Sequence, residues 1–511
     1  MRICHTIVTI PIGGRCELSE MTIAGEYVTV QAIIFACIGL SLSLFFEFIN
    51  GFHDTANAVA TVIYTRSLPA AGAVIWSGIW NFIGVLLSSG AVAYSVVAIL
   101  PPPLVLNVAS GTGAAALLAL LLAAVIWNFG TWYIGLPCSS SHALIGSILG
   151  VGLADSWMHS GTAAGLRWDQ IREVLLGLLV SPIIGFCLAG AVLYLLRRSI
   201  KNEKLFEPAD QKRTPPWSVR GLLVLTCTGV SFAHGTNDGQ KGMGLLMLVL
   251  IIVLPSALAL NPDLKSQDVH QLAAQLDHAI QFVKAKSPDK PAPTTEEAIT
   301  TLTQFDTASG KINDDVIPAL IVIMTELRSA LANKSTIQDF PNLERQAQRR
   351  NAYLIHETIT KLQKQNYFGK EDLKDLAALL KKAIEYIPIW IKAAVALSLG
   401  LGTMIGWKRI VTTVAERIGK HRLGYAQGAS AELMTMATIL AADRFGLPVS
   451  TTHVLASGIA GTMVANRAGL QRKTVINIIL AWVLTLPVCI FLGAVLFAGA
   501  LSIFFNFLGW R

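Results

Sequence analysis

Charged residues are scarce in this chain, making up 14% of its 511 residues, whereas an ordinary soluble protein carries roughly 25%. Cysteine is also sparse: the seven cysteines are scattered singly, with no CxxC or Cys/His ligand spacing. This pattern indicates neither a disulfide framework nor a zinc site, and we expect no cofactor. Residues 1–20 lack the apolar core and cleavage site of a signal peptide. We therefore expect them to be an extension, or Met21 to be the true start.

Apolar residues, in contrast, are abundant, at 53% of the chain. Several apolar runs reach the ~20 residues that a helix needs to cross a bilayer. The net charge is +8, and the basic residues cluster at the ends of apolar runs, which is typical of cytoplasmic loops rather than of a nucleic-acid-binding surface. The sequence predicts an all-α polytopic membrane protein in contact with a lipid bilayer, with no nucleic-acid partner.

Two aspartates interrupt these apolar runs in similar phrases. Asp54 lies in NGFHDTANA, which begins at Asn50, and Asp238 lies in AHGTNDGQKG, which begins at Ala233. A carboxylate at the centre of a membrane helix costs at least ~2.5–3.5 kcal/mol, so it is rarely present without a task. Two of them, in glycine-containing segments of corresponding halves, indicate a transporter with a duplicated fold and helices broken at Gly51 and Gly235.

The order of apolar and polar segments predicts the domain organisation. We predict an N-terminal tail (1–27), a first transmembrane repeat (28–196), a basic cytoplasmic linker (197–220), the start of a second repeat (221–260), a polar helical insertion (261–384) and the remainder of the second repeat (385–511). Each repeat has about five apolar crossings, and an odd number forces duplicated halves into opposite orientations. We read the insertion as a small, mostly helical domain, which the crossing count places on the outer side of the membrane and which takes no part in transport, with a docking or gating element as the alternative.

The distribution of basic residues supports this inverted 5+5 arrangement. Basic clusters lie in 197–220 and 407–422, in the turn after residue 466, and at Arg66. With both termini outside the cell, that is, periplasmic, all four of these positions fall in the cytoplasm, as the positive-inside rule requires.

A second phrase is also duplicated. GLPCSSSH (135–142) matches GLPVSTTH (446–453), and it follows the aspartate phrase in each half. Proline is tolerated at the start of a helix, and hydroxyls beside free backbone N–H groups at the positive end of a helix form a site for an anion. Two such helix starts in inverted halves could converge on one oxyanion. The alternative is that these hydroxyls bond only to the backbone or to neighbouring helices.

Both phrases resemble the duplicated motifs of the inorganic phosphate transporter (PiT) family, particularly its bacterial low-affinity Pit type. The resemblance implies proton-driven symport of inorganic phosphate, as a complex with a divalent cation such as magnesium, by a homodimer in a bacterial inner membrane. It implies that phosphate is held by six hydroxyls: Ser139, Ser140, Ser141, Ser450, Thr451 and Thr452. It assigns the ion-linked part of the site to Asp54, Asn57, Asn237 and Asp238.

The sequence departs from the sodium-coupled pattern of that family. Aligning the motifs on their aspartates places Lys241 opposite Asn57 and His53 opposite Asn237. A lysine brings a positive charge where sodium would otherwise bind, and an imidazole can exchange protons near neutral pH. Both changes favour protons, although Lys241 could instead pair structurally with Asp238.

Three further residues are candidates for the site. Glu47 lies about two turns before Asp54, and it could relay protons or pair with an interhelical donor. His142 and His453 could orient the hydroxyl-rich turns.

Other functions remain open at this stage. An uncoupled anion channel or exchanger would not need two buried aspartates and a lysine, and a membrane enzyme would need a base–nucleophile arrangement that the motifs lack, so we predict no enzymatic activity. A sodium-coupled symporter, and sulfate or another oxyanion as the substrate, remain the main alternatives.

Overall fold

The computed structural model describes residues 21–23, 26–100, 104, 110–162, 166, 168–210, 213–287, 290–307, 312–332, 334–369 and 371–506. The predicted tail before Met21 lies outside these residues. A short antiparallel hairpin, β1 (Met21–Ile23) with β2 (Glu26–Val28), comes first. All later elements are helical, apart from turns and loops, so the all-α prediction is confirmed in the described residues.

The first half of the chain contributes α1 (Val30–Tyr64), α2 (Ala70–Leu87), α3 (Ala91–Val97), α4 (Gly111–Tyr133), α5 (Ser140–Ser160) and α6 (Trp168–Ser199). The second half opens with α7 (Trp217–Val253). After the polar insertion it continues with α13 (Ile389–Met404), α14 (Lys408–Glu416), α15 (Tyr425–Arg444), α16 (Thr451–Ala465) and α17 (Arg472–Asn506).

The polar insertion forms five helices: α8 (Ser266–Lys284), α9 (Thr295–Thr307), α10 (Val316–Leu331), α11 (Asn342–Lys364) and α12 (Lys374–Ile384). Their apolar faces enclose a core of their own, which includes Leu276, Ile323, Leu354 and Leu380. The apolar spacing seen in the sequence therefore builds a compact helical unit. α12 leads into α13 through a bend of 68°.

Five helices are long and apolar enough to cross a membrane, namely α1, α2, α4, α6 and α17, and the bent pair α12 and α13 could provide a sixth span. These described helices make the protein a multi-pass membrane protein. The other described helices of the two halves are shorter or less apolar than these, so the count of ten crossings stays a prediction.

The predicted helix breaks at Gly51 and Gly235 are wrong. α1 and α7 run without interruption over 35 and 37 residues. Both glycines instead allow another helix to come close: a β-carbon at Gly51 would lie 2.3 Å from the carbonyl oxygen of Leu399 in α13, and one at Gly235 would lie 2.3 Å from that of Asn81 in α2. An interior glycine costs a helix only about 1 kcal/mol relative to alanine, and close packing offsets that cost.

The partner helices also have glycines at these contacts. A β-carbon at Gly402 of α13 would lie 2.1 Å from the carbonyl oxygen of Phe48, and one at Gly84 of α2 would lie 2.3 Å from that of Phe232. α1 is thus paired with α13, and α7 with α2, through direct backbone contact. These two glycine-lined pairs carry the two aspartates into the centre of the molecule.

Candidate functional site

The two hydroxyl-rich turns end in capped helix starts. Ser139 Oγ accepts a hydrogen bond from the backbone N–H of His142 at the start of α5, and Ser450 Oγ accepts one from that of His453 at the start of α16, at 3.2 Å in both cases. Serine is a favoured N-cap because its oxygen satisfies a first-turn N–H that lacks a partner. The prolines, which we predicted at the first helical position, lie ahead of these caps.

The two helix starts meet each other. Ser141 Oγ donates to the carbonyl oxygen of Val449 at 2.9 Å. The rings of His142 and His453 lie 4.5 Å apart, and His453 also stacks on Trp482 at 4.0 Å. The structure therefore brings together the duplicated turns, one from each half, and places both histidines at their junction.

Asp54 is buried and faces the start of α16. Its Oδ2 accepts a hydrogen bond from Thr451 Oγ1 at 3.0 Å, and its Oδ1 accepts one from Thr452 Oγ1. The aspartate of the first half is thus held by hydroxyls of the second half.

Asp238 is also buried, and it is held by the first half together with a lysine. Lys241 Nζ lies 2.8 Å from Asp238 Oδ1 and donates to Ser141 Oγ at 2.5 Å, while Ser140 Oγ lies 3.5 Å from Asp238 Oδ2. The side chain of Lys241 is 0% exposed. The lysine therefore forms an ion pair inside the site, as the structural alternative proposed, and at the same time contacts one of the hydroxyls predicted to bind phosphate.

Two residues that sequence reasoning missed complete the centre. Asn50 Oδ1 accepts from Ser140 Oγ at 2.7 Å, and His234 Nε2 lies 3.5 Å from Asp54 Oδ2 and 3.6 Å from Asp238 Oδ2. Each precedes its motif aspartate by four residues, so each shares one helix face with it. This spacing of four residues from each aspartate is the sequence signal that could have identified Asn50 and His234.

The contacts of His234 define its protonation at Nδ1. His234 Nδ1 lies 2.7 Å from Asn81 Oδ1, and the Asn81 amide nitrogen donates to Ser77 and Thr403, which assigns the amide oxygen to the histidine. Nδ1 then carries a hydrogen, and Nε2 faces the two carboxylates. Three possible ligand atoms, one each from Asp54, His234 and Asp238, thus lie within 4.8 Å of one another. We call these three residues the acceptor cluster; such a cluster can hold a metal ion or a proton.

The other predicted ion-coupling residues lie around this centre. The buried Glu47 accepts from the Asn50 amide at 3.4 Å. His53 Nε2 faces Thr131 Oγ1 at 3.3 Å, in the helix that precedes the first turn, and its other ring nitrogen lies 3.9 Å from Asp54.

Asn237 faces the second turn, where its amide donates to the carbonyl oxygen of Leu447 at 3.2 Å. His53 and Asn237 thus occupy matching places beside the two turns and not within the acceptor cluster. The side chain of Asn57 lies outside the described residues.

The fold and this centre together define a class: a multi-pass helical membrane protein whose two halves jointly build a buried site of carboxylates and hydroxyls. A model of the phosphate transporter family matches residues 50–493. The chain belongs to this family, and its members are transporters, not enzymes.

Curated relatives are similar over nearly the whole chain. The chain is 42% identical to "Low-affinity inorganic phosphate transporter PitA" of Escherichia coli (strain K12), over 90% of this chain and 95% of that protein. It is 41% identical to PitB of the same strain, over 91% and 96%. Among solved structures, "The sodium-dependent phosphate transporter" covers 91% of this chain and 98% of its own, with a TM-score of 0.49 and 17% identity.

Proposed function

We propose that the protein imports inorganic phosphate across a bacterial inner membrane, as a complex with a divalent cation such as magnesium, in symport with protons. The names of the 41–42% identical relatives support phosphate as the substrate. The coupling and the metal rest on the chemistry of the centre.

The single observation that carries the proposal is the acceptor cluster beside the hydroxyl-rich helix starts. Asp54, His234 and Asp238 bring two carboxylates and an imidazole nitrogen together, an arrangement that a proton or a cation stabilises in addition to the ion pair of Asp238 with Lys241. The N-terminus of α16, with Thr451 and Thr452, adjoins it and favours an anion. A divalent cation and hydrogenphosphate together match these neighbouring preferences. The hydroxyls would exchange their carboxylate partners for phosphate oxygens on binding.

Lys241 supports protons over sodium as the driving ion. Its ammonium group is fixed between Asp238 and Ser141. It supplies a permanent positive charge at the position where a coupling sodium ion would add one. Proton exchange can then take place at the remaining groups, Asp54, His234 and Glu47.

The decisive experiment is uptake of labelled phosphate into proteoliposomes. We expect uptake to follow an imposed pH gradient, to require magnesium or a similar divalent ion, and to be indifferent to a sodium gradient at fixed pH. Uptake driven by sodium would replace this proposal with sodium symport. Equilibration without any gradient dependence would indicate a channel or exchanger, and competition by sulfate at equal concentration would indicate a general oxyanion carrier.

We also propose that the two halves are an inverted repeat. Supporting this, α1 and α7 occupy equivalent places in the two halves, and their contacts run in opposite directions: Gly39 of α1 faces Val249 of α7, whereas Asp54 faces His234. Equivalent helices of an inverted repeat are oriented in this antiparallel way.

The inverted repeat, combined with the positive-inside rule, puts both termini in the periplasm. We further propose that the protein works as a homodimer. Accessibility of single terminal cysteines to a membrane-impermeant reagent tests the periplasmic location of the termini. The mass of the purified protein in detergent tests the homodimer.

A further inference from the structure

A cavity of about 660 Å³ lies outside the site already described, between α14 and the turn that joins α4 to α5. Lys408, Arg409 and Arg417 line it from one side, and Trp132 and Tyr133 line it from the other. No acidic residue is found among its described lining residues. We call this cavity the basic vestibule. Three cations, with no acidic residue among the described lining residues, favour an anionic occupant.

Arg409 is held in a defined position at the wall of the vestibule. Its Nη1 donates to the carbonyl oxygen of Tyr133, and its guanidinium carbon lies 5.0 Å from the ring centres of both Trp132 and Tyr133. Stacking on aromatic faces fixes the plane of the guanidinium. A planar arginine fork presents parallel donors to phosphate oxygens, so the arrangement suits a phosphate group.

The vestibule is in contact with the turn that leads to the hydroxyls. Thr413 Oγ1 donates to the carbonyl oxygen of Gly135 at 3.0 Å, and Trp132 Nε1 donates to that of Gly406 at 2.9 Å. Gly135 is the first residue of the phrase that contains Ser139–Ser141. Its φ of 73° is one that glycine adopts readily. The vestibule therefore adjoins the first-half turn of the transport site.

The helix beside the second turn carries no such charge. There α3 occupies the equivalent place and approaches the second turn, since a β-carbon at Gly446 would lie 3.4 Å from Ala91 Cβ. The sequence of α3, AVAYSVV, contains no charged residue, whereas α14 begins with Lys408 and Arg409. The two helices therefore differ in charge, and the cationic one lies on the side that we assign to the cytoplasm.

We propose that the basic vestibule is a second binding site for a phosphate-bearing anion, which occupies it on the cytoplasmic side of the transport site. The group it takes is a phosphate monoanion or dianion, either inorganic phosphate leaving the transport site or the headgroup of an anionic lipid. This inference rests on the proposed function for its orientation only; the binding itself does not depend on transport.

A thiol-protection experiment tests the binding directly. Thr412, which lines the vestibule, is changed to cysteine in the full chain carrying Asp54→Asn, with serine at Cys4, Cys16, Cys37 and Cys187. Because Asp54→Asn should stop transport, a failure of the proposed function does not affect the readout. In nanodiscs of neutral phosphatidylcholine, we expect inorganic phosphate to slow the reaction of an anionic sulfonate thiol reagent several-fold. Arg409→Gln with Arg417→Gln should abolish this protection.

A second arm distinguishes the two sources of the phosphate group. If a lipid headgroup occupies the vestibule, nanodiscs that contain phosphatidylglycerol should slow the reaction without added phosphate, and the same two arginine changes should remove the effect. Lys420→Gln is the matched control, because Lys420 is an exposed cation of the same segment that does not line the cavity. The proposal is overturned if neither phosphate nor phosphatidylglycerol changes the rate, or if Lys420→Gln removes protection as fully as the arginine changes.

Discussion

The two motif aspartates occupy equivalent places in the two halves, yet they are neutralised differently. Asp54 receives hydrogen bonds from Thr451 and Thr452, whereas Asp238 has an ion pair with Lys241 at 2.8 Å. The position of the carboxylate is the same in the two phrases, and its partner differs. One half therefore carries a carboxylate paired with a fixed lysine, and the other carries a carboxylate that is held by two hydroxyls and lies 3.5 Å from His234 Nε2.

Removing the lysine should give the largest effect. Lys241→Gln leaves Asp238 as a buried carboxylate without its cation, which typically costs about 3–5 kcal/mol. We expect proton-driven phosphate uptake to collapse and thermal unfolding in detergent to occur at a clearly lower temperature. Lys241→Asn, which restores the residue of the paired position, should lose uptake as well.

The double change Lys241→Gln with Asp238→Asn separates stability from coupling. Without either charge, the desolvation cost disappears, so unfolding should return toward the parent temperature while uptake stays lost. A Lys241→Gln protein that transports normally would show that the ion pair has no part in coupling.

Asp54→Asn should stop driven uptake with a smaller effect on stability. The asparagine oxygen can still accept a threonine hydrogen bond, so we expect a loss of about 1–2 kcal/mol in the free energy of unfolding. Uptake in proteoliposomes and unfolding in detergent are measured on the same preparation. If this variant kept near-normal uptake, Asp54 would have a structural role, and the proposal that it takes part in ion coupling would be wrong.

The hydroxyl contacts should have an intermediate effect. Thr451→Ala and Ser140→Ala each remove one hydroxyl from the centre, and we expect each to raise the phosphate concentration for half-maximal uptake, by up to about tenfold, which corresponds to ~1.4 kcal/mol. The double variant should be more impaired than either single variant. Parent-like concentration curves for both single variants would contradict joint binding by the two helix starts.

The two serine caps should give the smallest effect, and it should be equal in the two halves. Ser139 and Ser450 make the same 3.2 Å bond to a backbone N–H, and replacing an N-cap serine by alanine costs about 1 kcal/mol. Ser139→Ala and Ser450→Ala should therefore lower the unfolding temperature by similar amounts. A larger loss for Ser139→Ala would report the additional 2.9 Å contact of Ser139 Oγ with His142 Nδ1, and a larger loss for Ser450→Ala would contradict equal backbone support in the two halves.

Local patterns in the sequence predicted the parts of the site but not its cross-connections. The aspartates and the hydroxyls could be found because each lies in a duplicated phrase. That Asp54 contacts the hydroxyls of the second half, and Lys241 those of the first, depends on how helices pack across the molecule, which no local phrase records. His234 was missed because it lies outside the positions that match between the two motifs.

The prediction of broken helices failed for a related physical reason. A glycine such as Gly51 is compatible with either a helix break or close contact with another helix. The local sequence does not distinguish the two. Which one occurs is decided by the partner, here α13, whose own Gly402 permits backbone contact. A comparison of glycine positions between helices, rather than within one helix, would have favoured the close approach.

Those glycine contacts also determine which parts of the molecule can move. Helices whose backbones touch, as those of α1 and α13 and of α7 and α2 do, have few intervening rotamers to rearrange and should travel together as rigid bodies. Alternating exposure of the centre to the two sides then has to occur by displacement between bodies, and not by sliding within one. A cross-link inside a glycine-lined pair should be tolerated, whereas a cross-link between the starts of α5 and α16 should lock the transporter.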